Sequence, residues 1–393
     1  MFLFNRSRNA GWPRWLVNGV LVVLLATLSV GLSGAWWDNV FGGDNNRPSS
    51  LPTGDPVTNG DSLLQYSLPI DNPPIRKLQG SLEDIATQLR ARRRWGTIRS
   101  DAKTAARVLQ RKEDEILASI SPDKQDEAKK LLNQIAAGID NLKEVIAVKD
   151  KENTWIQRGE LISQLSDLET LMVDEFPFEI PKEYSDLPQL KGRATIDMET
   201  NKGNLTLVVD GYSAPITAGN FVDLVQRNFY DGLEFIRSEQ DYVLQAGDPP
   251  GPEEGFVDPE TGSERTIPLE IKPKSEKEPI YGFTFEELGL YNSQPELPFS
   301  AYGTVAMARP EDNNGGSSQF FFFLFEPDLT PAGLNLLDGR YAVFGYVIDG
   351  KEVLEKMEAG DEIVSAQVTQ GLDNLVVPQP NPEDTEAQQP ESA

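Results

Sequence analysis

Apolar side chains recur at steps of three and four through Leu131, Ile135, Ile139, Leu142 and Ile146, and again through Leu161, Leu165, Leu168 and Met172. That spacing sets them on one face of a helix. It predicts a helical stretch from Ser81 to about Val173, broken near Gly96 and at Ser121-Pro122, and so roughly three to five helices packed as a bundle. Ser81 is placed to cap the first helix, with Glu83 and Asp84 near its positive dipole end. Pro69, Pro73 and Pro74 read as an extended lead-in to it. Near Arg193 the period shortens to two. Ala194, Ile196 and Met198 alternate with polar residues, Asn201-Lys202-Gly203 makes a turn, and Leu205, Leu207 and Val209 alternate again, which predicts a hairpin. A short helix over Thr217 to Arg227 follows Ala214-Pro215. Further short strands, separated at Gly303, Gly315-Gly316, Asp338-Gly339 and Asp349-Gly350, predict a closed or nearly closed β-barrel.

The fold class expected is therefore multidomain α and β, with a helical bundle over 81–176, a linker over 177–192 punctuated by proline, and a barrel over 193–377. Arg6, Arg8 and Arg14 precede a nearly uncharged run from Trp15 to Ala35, so residues 1–35 read as a signal peptide or a membrane anchor. Either reading exports the rest of the chain. Residues 36–80 read as linker and extended lead-in, and 378–393 as a disordered acidic tail.

Composition removes much chemistry. The 393 residues include no His and no Cys, which excludes imidazole bases, thiolate nucleophiles and the zinc sites built from either. Lys plus Arg number 36 against 62 Asp plus Glu, a formal charge of -26, and a phosphate backbone is repelled by such a surface. Arg90, Arg92, Arg93 and Arg94 stand out as a basic patch, either a solvated helix face or a dock for an acidic surface such as the chain's own C-terminal half. Arg237 lies between Phe235 and Tyr242, and from spacing alone it is either a surface side chain packing its stem or a functional cation. Phe320 to Phe323 put two rings on each face of any strand, one pair for a core and one for a lining.

Three ordered blocks resemble the cyclophilin family of peptidyl-prolyl isomerases. Phe235 and Arg237 with Gln245, Gly247 and Asp248 are similar to its Phe-His-Arg segment and Gln-x-Gly-Asp. Gly316 with Ser317 to Phe321 is similar to its Gly-Ser-Gln-Phe-Phe strand, and Leu337-Asp338-Gly339 with Val343-Phe344-Gly345 is similar to its third block. The resemblance implies an eight-stranded antiparallel barrel with a helix at each end. It implies Arg237 as catalytic donor, an apolar proline pocket of Phe321, Phe344, Tyr242 and Val243, and Gln245 and Gln319 holding substrate backbone or orienting Arg237. Phe235, Ala308 and Leu336 complete the substrate site that it implies. No cofactor or metal is called for, because rotation about an X-Pro bond makes and breaks no bond.

The chain departs from the family at Ile236, Arg309, Leu336 and Tyr341, all at the pocket rim. A Pro- and Glu-rich insertion between Asp248 and Ile280 reads as acidic surface, either decoration or a gate over the groove. The leader, helical region, insertion and barrel together are similar to the forty-kilodalton thylakoid-lumen subgroup of the family and its cyanobacterial relatives, which are associated with photosystem II assembly and maintenance. The expected partners are proline-containing segments of client proteins, photosystem II subunits among them, with a contact between the helical region and the barrel. The expected compartment is the thylakoid lumen or periplasm. A second expectation is a binding module or assembly chaperone with little turnover, held inactive by the helical region.

Overall fold

The computed structural model describes residues 57–90, 94–239, 241–259, 262–325 and 335–378. The leader, the start of the linker as far as residue 56, Arg92, Arg93 and the tail beyond Pro378 lie outside them. Among the described residues five helices come first: α1 (Gly60–Ser67), α2 (Pro73–Arg90), α3 (Trp95–Leu117), α4 (Gln125–Ala147) and α5 (Lys151–Leu171). The expected extended lead-in is instead helical, and Ser81 lies inside α2, its hydroxyl bonded back to the Lys77 carbonyl at 2.8 Å. The reason is local. Asn72 accepts from the Ile75 N–H at 3.0 Å, so Asn72 caps α2, and Pro73 and Pro74 occupy first-turn positions where no N–H is needed. Asn59 caps α1 and Asp150 caps α5 in the same way.

α2 packs on α3 and α5, and α4 packs on α3 and α5, which closes a four-helix bundle. Its interior holds Leu78, Leu82 and Ile85 of α2, Ile98 of α3, and the expected Ile135, Ile139, Leu142, Leu165 and Leu168. Leu131 lies at the margin of that face, half-buried, where Leu132 takes the inward position.

The hairpin forms as the alternation requires. After the two-residue strand β1 (Gln189–Leu190), β2 (Arg193–Thr200) pairs residue for residue with β3 (Gly203–Asp210). Six more strands complete an eight-stranded antiparallel sheet: β4 (Arg237–Glu239), β5 (Val243–Ala246), β8 (Thr304–Met307), β9 (Phe320–Phe323), β10 (Val343–Asp349) and β11 (Ile363–Gln370), in the order β11-β2-β3-β10-β8-β9-β5-β4. The two ends of the sheet meet through main-chain bonds from Gly232 N to Ile363 O (2.7 Å), Ile363 N to Leu233 O (2.9 Å) and Phe235 N to Asp361 O (2.7 Å). Helix α6 (Pro215–Gln226) plugs the curl, with Phe221 wholly buried against Phe320 and Phe344. The second helix, α7 (Lys351–Leu354), is a single turn.

The acidic insertion is not decoration. Phe256, Ile267, Leu269 and Ile271 join the barrel core, and β6 (Glu270–Ile271) pairs with β7 (Ile280–Tyr281). Glu270 is wholly buried and accepts from Ile216 N (3.2 Å), Thr217 N (2.8 Å) and Thr217 Oγ1 (2.9 Å), capping α6 from a distant part of the chain. Arg265 bonds Asp223 of α6 at 2.6 Å and lies over the Phe256 ring.

The helical region meets the barrel through α1. Leu63 and Leu64 share an apolar cluster with Val343, Tyr346 and Phe299. Beside it, buried Asp210 accepts from Ser67 Oγ (2.8 Å), Ser213 Oγ (3.0 Å), Tyr212 N (3.2 Å) and Arg193 Nε (3.3 Å). The basic patch takes no part in this seam at Arg90, which lies over the Trp155 ring, 5.0 Å from its centroid.

Three buried acids hold their protons unusually tightly. Burial raises Glu169 of α5 from its ordinary 4.5 to about 8, Glu270 from 4.5 to about 7 and Asp338 from 3.8 to about 6. Each folded value exceeds the unfolded one, so the stabilisation is complete below the ordinary value and is lost as pH rises through the folded one. The melting temperature is expected to fall by roughly 5 °C between about pH 5.5 and 8.5, and Glu270→Gln is expected to flatten the part of that slope near neutrality. A thermal melt series checks this, and a profile rising over that range would contradict it.

Candidate active site

Register aligns the candidate residues. Arg237 of β4 lies opposite Gln245 of β5, Gln245 opposite Phe321 of β9, and Phe321 opposite Ala306 of β8. Residues directly opposite in a sheet share a face, so a guanidinium, an amide and an aromatic ring form one row across three strands. The next row on that face is Glu239, Val243 and Phe323. The intervening residues, Leu244, Phe320 and Phe322 among them, enter the barrel core.

This parity corrects two of the expected site residues. Phe235 is 1% exposed and faces Phe322 in the core, and Phe344 is wholly buried against Phe221. Neither can line a groove on the Arg237 face. On β10 a register shift between Val343 and Gly345 lets Val343 and Tyr346 both face outward, leaving Phe344 inward. Leu336 is 87% exposed, and it is Leu337 that packs against the Phe321 cluster.

Val243 and Phe321 are buried in that outer cluster, with Ala308 and Tyr341 at its border. Tyr242 stands at the rim, its ring edge-on to Phe323 at 5.7 Å. Tyr341 meets Phe321 edge-on at 5.6 Å, and the Arg309 guanidinium covers Tyr341 at 5.2 Å. Phe299 stacks on Phe321 with centroids 6.0 Å apart and an interplanar angle of 8°, a neighbour that helps leave Phe321 only 5% exposed. Sequence reasoning missed Phe299, which belongs to no recognisable block. It also missed Glu239, although i and i+2 in a strand share a face and the pairing with Arg237 was open to inspection.

The polar side is a directed chain. Gln319 Nε2 donates to Asp248 Oδ1 (2.9 Å) and to the Glu254 carbonyl (2.8 Å), so its Oε1 is the atom that accepts from Gln245 Nε2 (2.7 Å). The Gln245 carbonyl oxygen is then its remaining acceptor. Gly247 makes this approach possible: its φ is +98°, and a Cβ there would lie 2.4 Å from the Ser318 carbonyl. Arg237 is about half exposed, and its Nε donates to Glu239 Oε1 at 2.9 Å while Nη2 donates to the same oxygen. Gln245 therefore pairs with Gln319, and Arg237 with Glu239.

Against known proteins, residues 195–375 match the family described as cyclophilin type peptidyl-prolyl cis-trans isomerase/CLD, and residues 59–173 match the CYP38-like, PsbQ-like domain of peptidyl-prolyl cis-trans isomerases. The chain belongs to the cyclophilin family of peptidyl-prolyl cis-trans isomerases. A thylakoid lumen peptidyl-prolyl cis-trans isomerase of Synechocystis is 55% identical over 91% of this chain and 95% of its own length. The chloroplastic isomerase CYP38 of Arabidopsis thaliana is 45% identical over 84% of this chain and 78% of its own. CYP37 of the same plant is 33% identical over 82% and 72%.

Proposed function

We propose that the chain isomerises X-Pro bonds of proteins in the thylakoid lumen and thereby supports assembly or maintenance of photosystem II. The observation that carries the isomerase reading is the single row of Arg237, Gln245 and Phe321 beside buried Val243. Resonance sets a barrier of roughly 18–20 kcal/mol to rotation about a peptide bond. As the amide twists, the prolyl nitrogen recovers its lone pair and becomes an acceptor. An apolar slot of Phe321, Val243 and Leu337 holds the ring, and Arg237 donates to that nitrogen most strongly at the twisted geometry, so the interaction favours the transition state over both planar forms. Gln245 offers its carbonyl oxygen to the flanking substrate backbone or to Arg237, and Gln319, held by Asp248 and the Glu254 carbonyl, fixes the orientation of Gln245.

The compartment rests on the basic and apolar leader and on the names of the Synechocystis and Arabidopsis relatives. The photosystem II role rests on the resemblance of the whole chain to the thylakoid-lumen subgroup, with the CYP38-like match of residues 59–173 beside it. The intact chain is expected to accelerate isomerisation of a short Pro peptide, and an uncatalysed rate would overturn the enzymatic reading. A strain lacking the gene is expected to recover oxygen evolution more slowly after strong light. Recovery at the parental rate would remove photosystem II from the account.

A further inference from the structure

We propose that Glu239 is a positioning residue that parks Arg237 away from the slot, so that substrate and Glu239 compete for one guanidinium. The inference deepens the isomerase reading and rests on it. β4 is a short terminal strand of the sheet, and Glu239 follows Arg237 by two residues, which puts both carboxylate and guanidinium on the outer face. Both Arg237 bonds run to Glu239 Oε1. In register Glu239 stands opposite Val243 and Arg237 opposite Gln245, so the parked cation leans along the strand, beside the apolar wall and not across it. The two side chains are 53% and 47% exposed, and among the described residues the Arg237 guanidinium is hydrogen-bonded to Glu239 alone.

Gln245, opposite Arg237 in register, is held by Gln319 and not by Arg237. Gln319 is committed to Asp248 and the Glu254 carbonyl, and this draws the Gln245 amide nitrogen toward Gln319. The Gln245 carbonyl is left as an acceptor that supports Arg237 once it leaves Glu239. Two poses follow: one on Glu239, one over the slot with Gln245 behind it. An exposed ion pair of this kind is weak and screened by salt, so the parked pose lowers activity without abolishing it. Donation by Arg237 grows toward the twisted amide, and releasing it therefore raises kcat more than it lowers KM.

The test uses the intact chain with a short uncharged Pro peptide, wild type beside Glu239→Gln and Arg237→Ala, at ionic strengths from about 0.02 to 0.5 M. Glu239→Gln is expected to raise kcat/KM about threefold at low salt, the scale of an exposed pair. The wild type should approach the variant as salt rises, while the variant stays flat, and a merely structural residue would give no such salt profile. If the wild type is active and Arg237→Ala impairs it, but Glu239→Gln matches the wild type at every salt concentration, the parking role fails and the isomerase reading stands. If Arg237→Ala equals an active wild type, Arg237 is not the donor and the parking role fails with it, whereas a wild type at the uncatalysed rate overturns the isomerase reading itself.

Discussion

Arg237→Ala is expected to lower kcat/KM for a Pro peptide by about 10²-fold, the low end of what one preorganised transition-state donor supplies. The low end applies because Arg237 is about half exposed and begins bonded to Glu239. KM should change little, since the lost bond forms chiefly as the amide twists. Arg237→Lys should recover less than about tenfold, because an ammonium lacks the planar fork that reaches both the prolyl nitrogen and the Gln245 carbonyl. Folding should be unaffected, as neither bond of Arg237 is buried. A variant within twofold of wild type would show that the slot alone does the catalysis.

The second large effect is structural. Asp210→Ala is expected to cost about 3 kcal/mol, the scale of removing one partner from a buried charged network. Asp210 is wholly buried at the seam and accepts from Ser67, Ser213, Tyr212 and Arg193. Without it the Arg193 guanidinium loses its counter-charge, and α1 is left on the barrel with its apolar contacts and the Arg193 bonds to the Leu64 carbonyl and Ser67 Oγ. The melting temperature should drop by roughly 6 °C, and limited proteolysis should cut first between residues 57 and 72. An unchanged melt would mean that Leu63 and Leu64 alone hold the seam.

What could be read in the chain tracks how local each signal is. The 193–210 hairpin and the bundle faces announce themselves because one side of each element is buried and the period survives intact. The start of α2 does not, because Pro73 and Pro74 suggest an extended chain although Asn72 in front of them supplies the cap. The charge of the insertion hides its packing. Its Ile267, Leu269 and Ile271 alternate into the core, and the bonds made by Glu270 to α6 come from residues far apart in sequence. Within the site, Arg237, Gln245 and Phe321 travelled in recognisable blocks, whereas Phe344 was assigned to the wrong face. A single irregularity in β10 decides which side its neighbours take. Phe299 lay beyond reach, because only the folded barrel sets it against Phe321.

Glu169, Glu270 and Asp338 make folding a proton-consuming reaction near neutrality. The unfolded chain takes up no such protons until it collapses, and then withdraws them from the space in which it folds. Hydrogen ions there act as a ligand for the native state, so an acidic medium favours the fold and a neutral one favours it less. Calorimetry in two buffers of different ionisation enthalpy would count those protons directly.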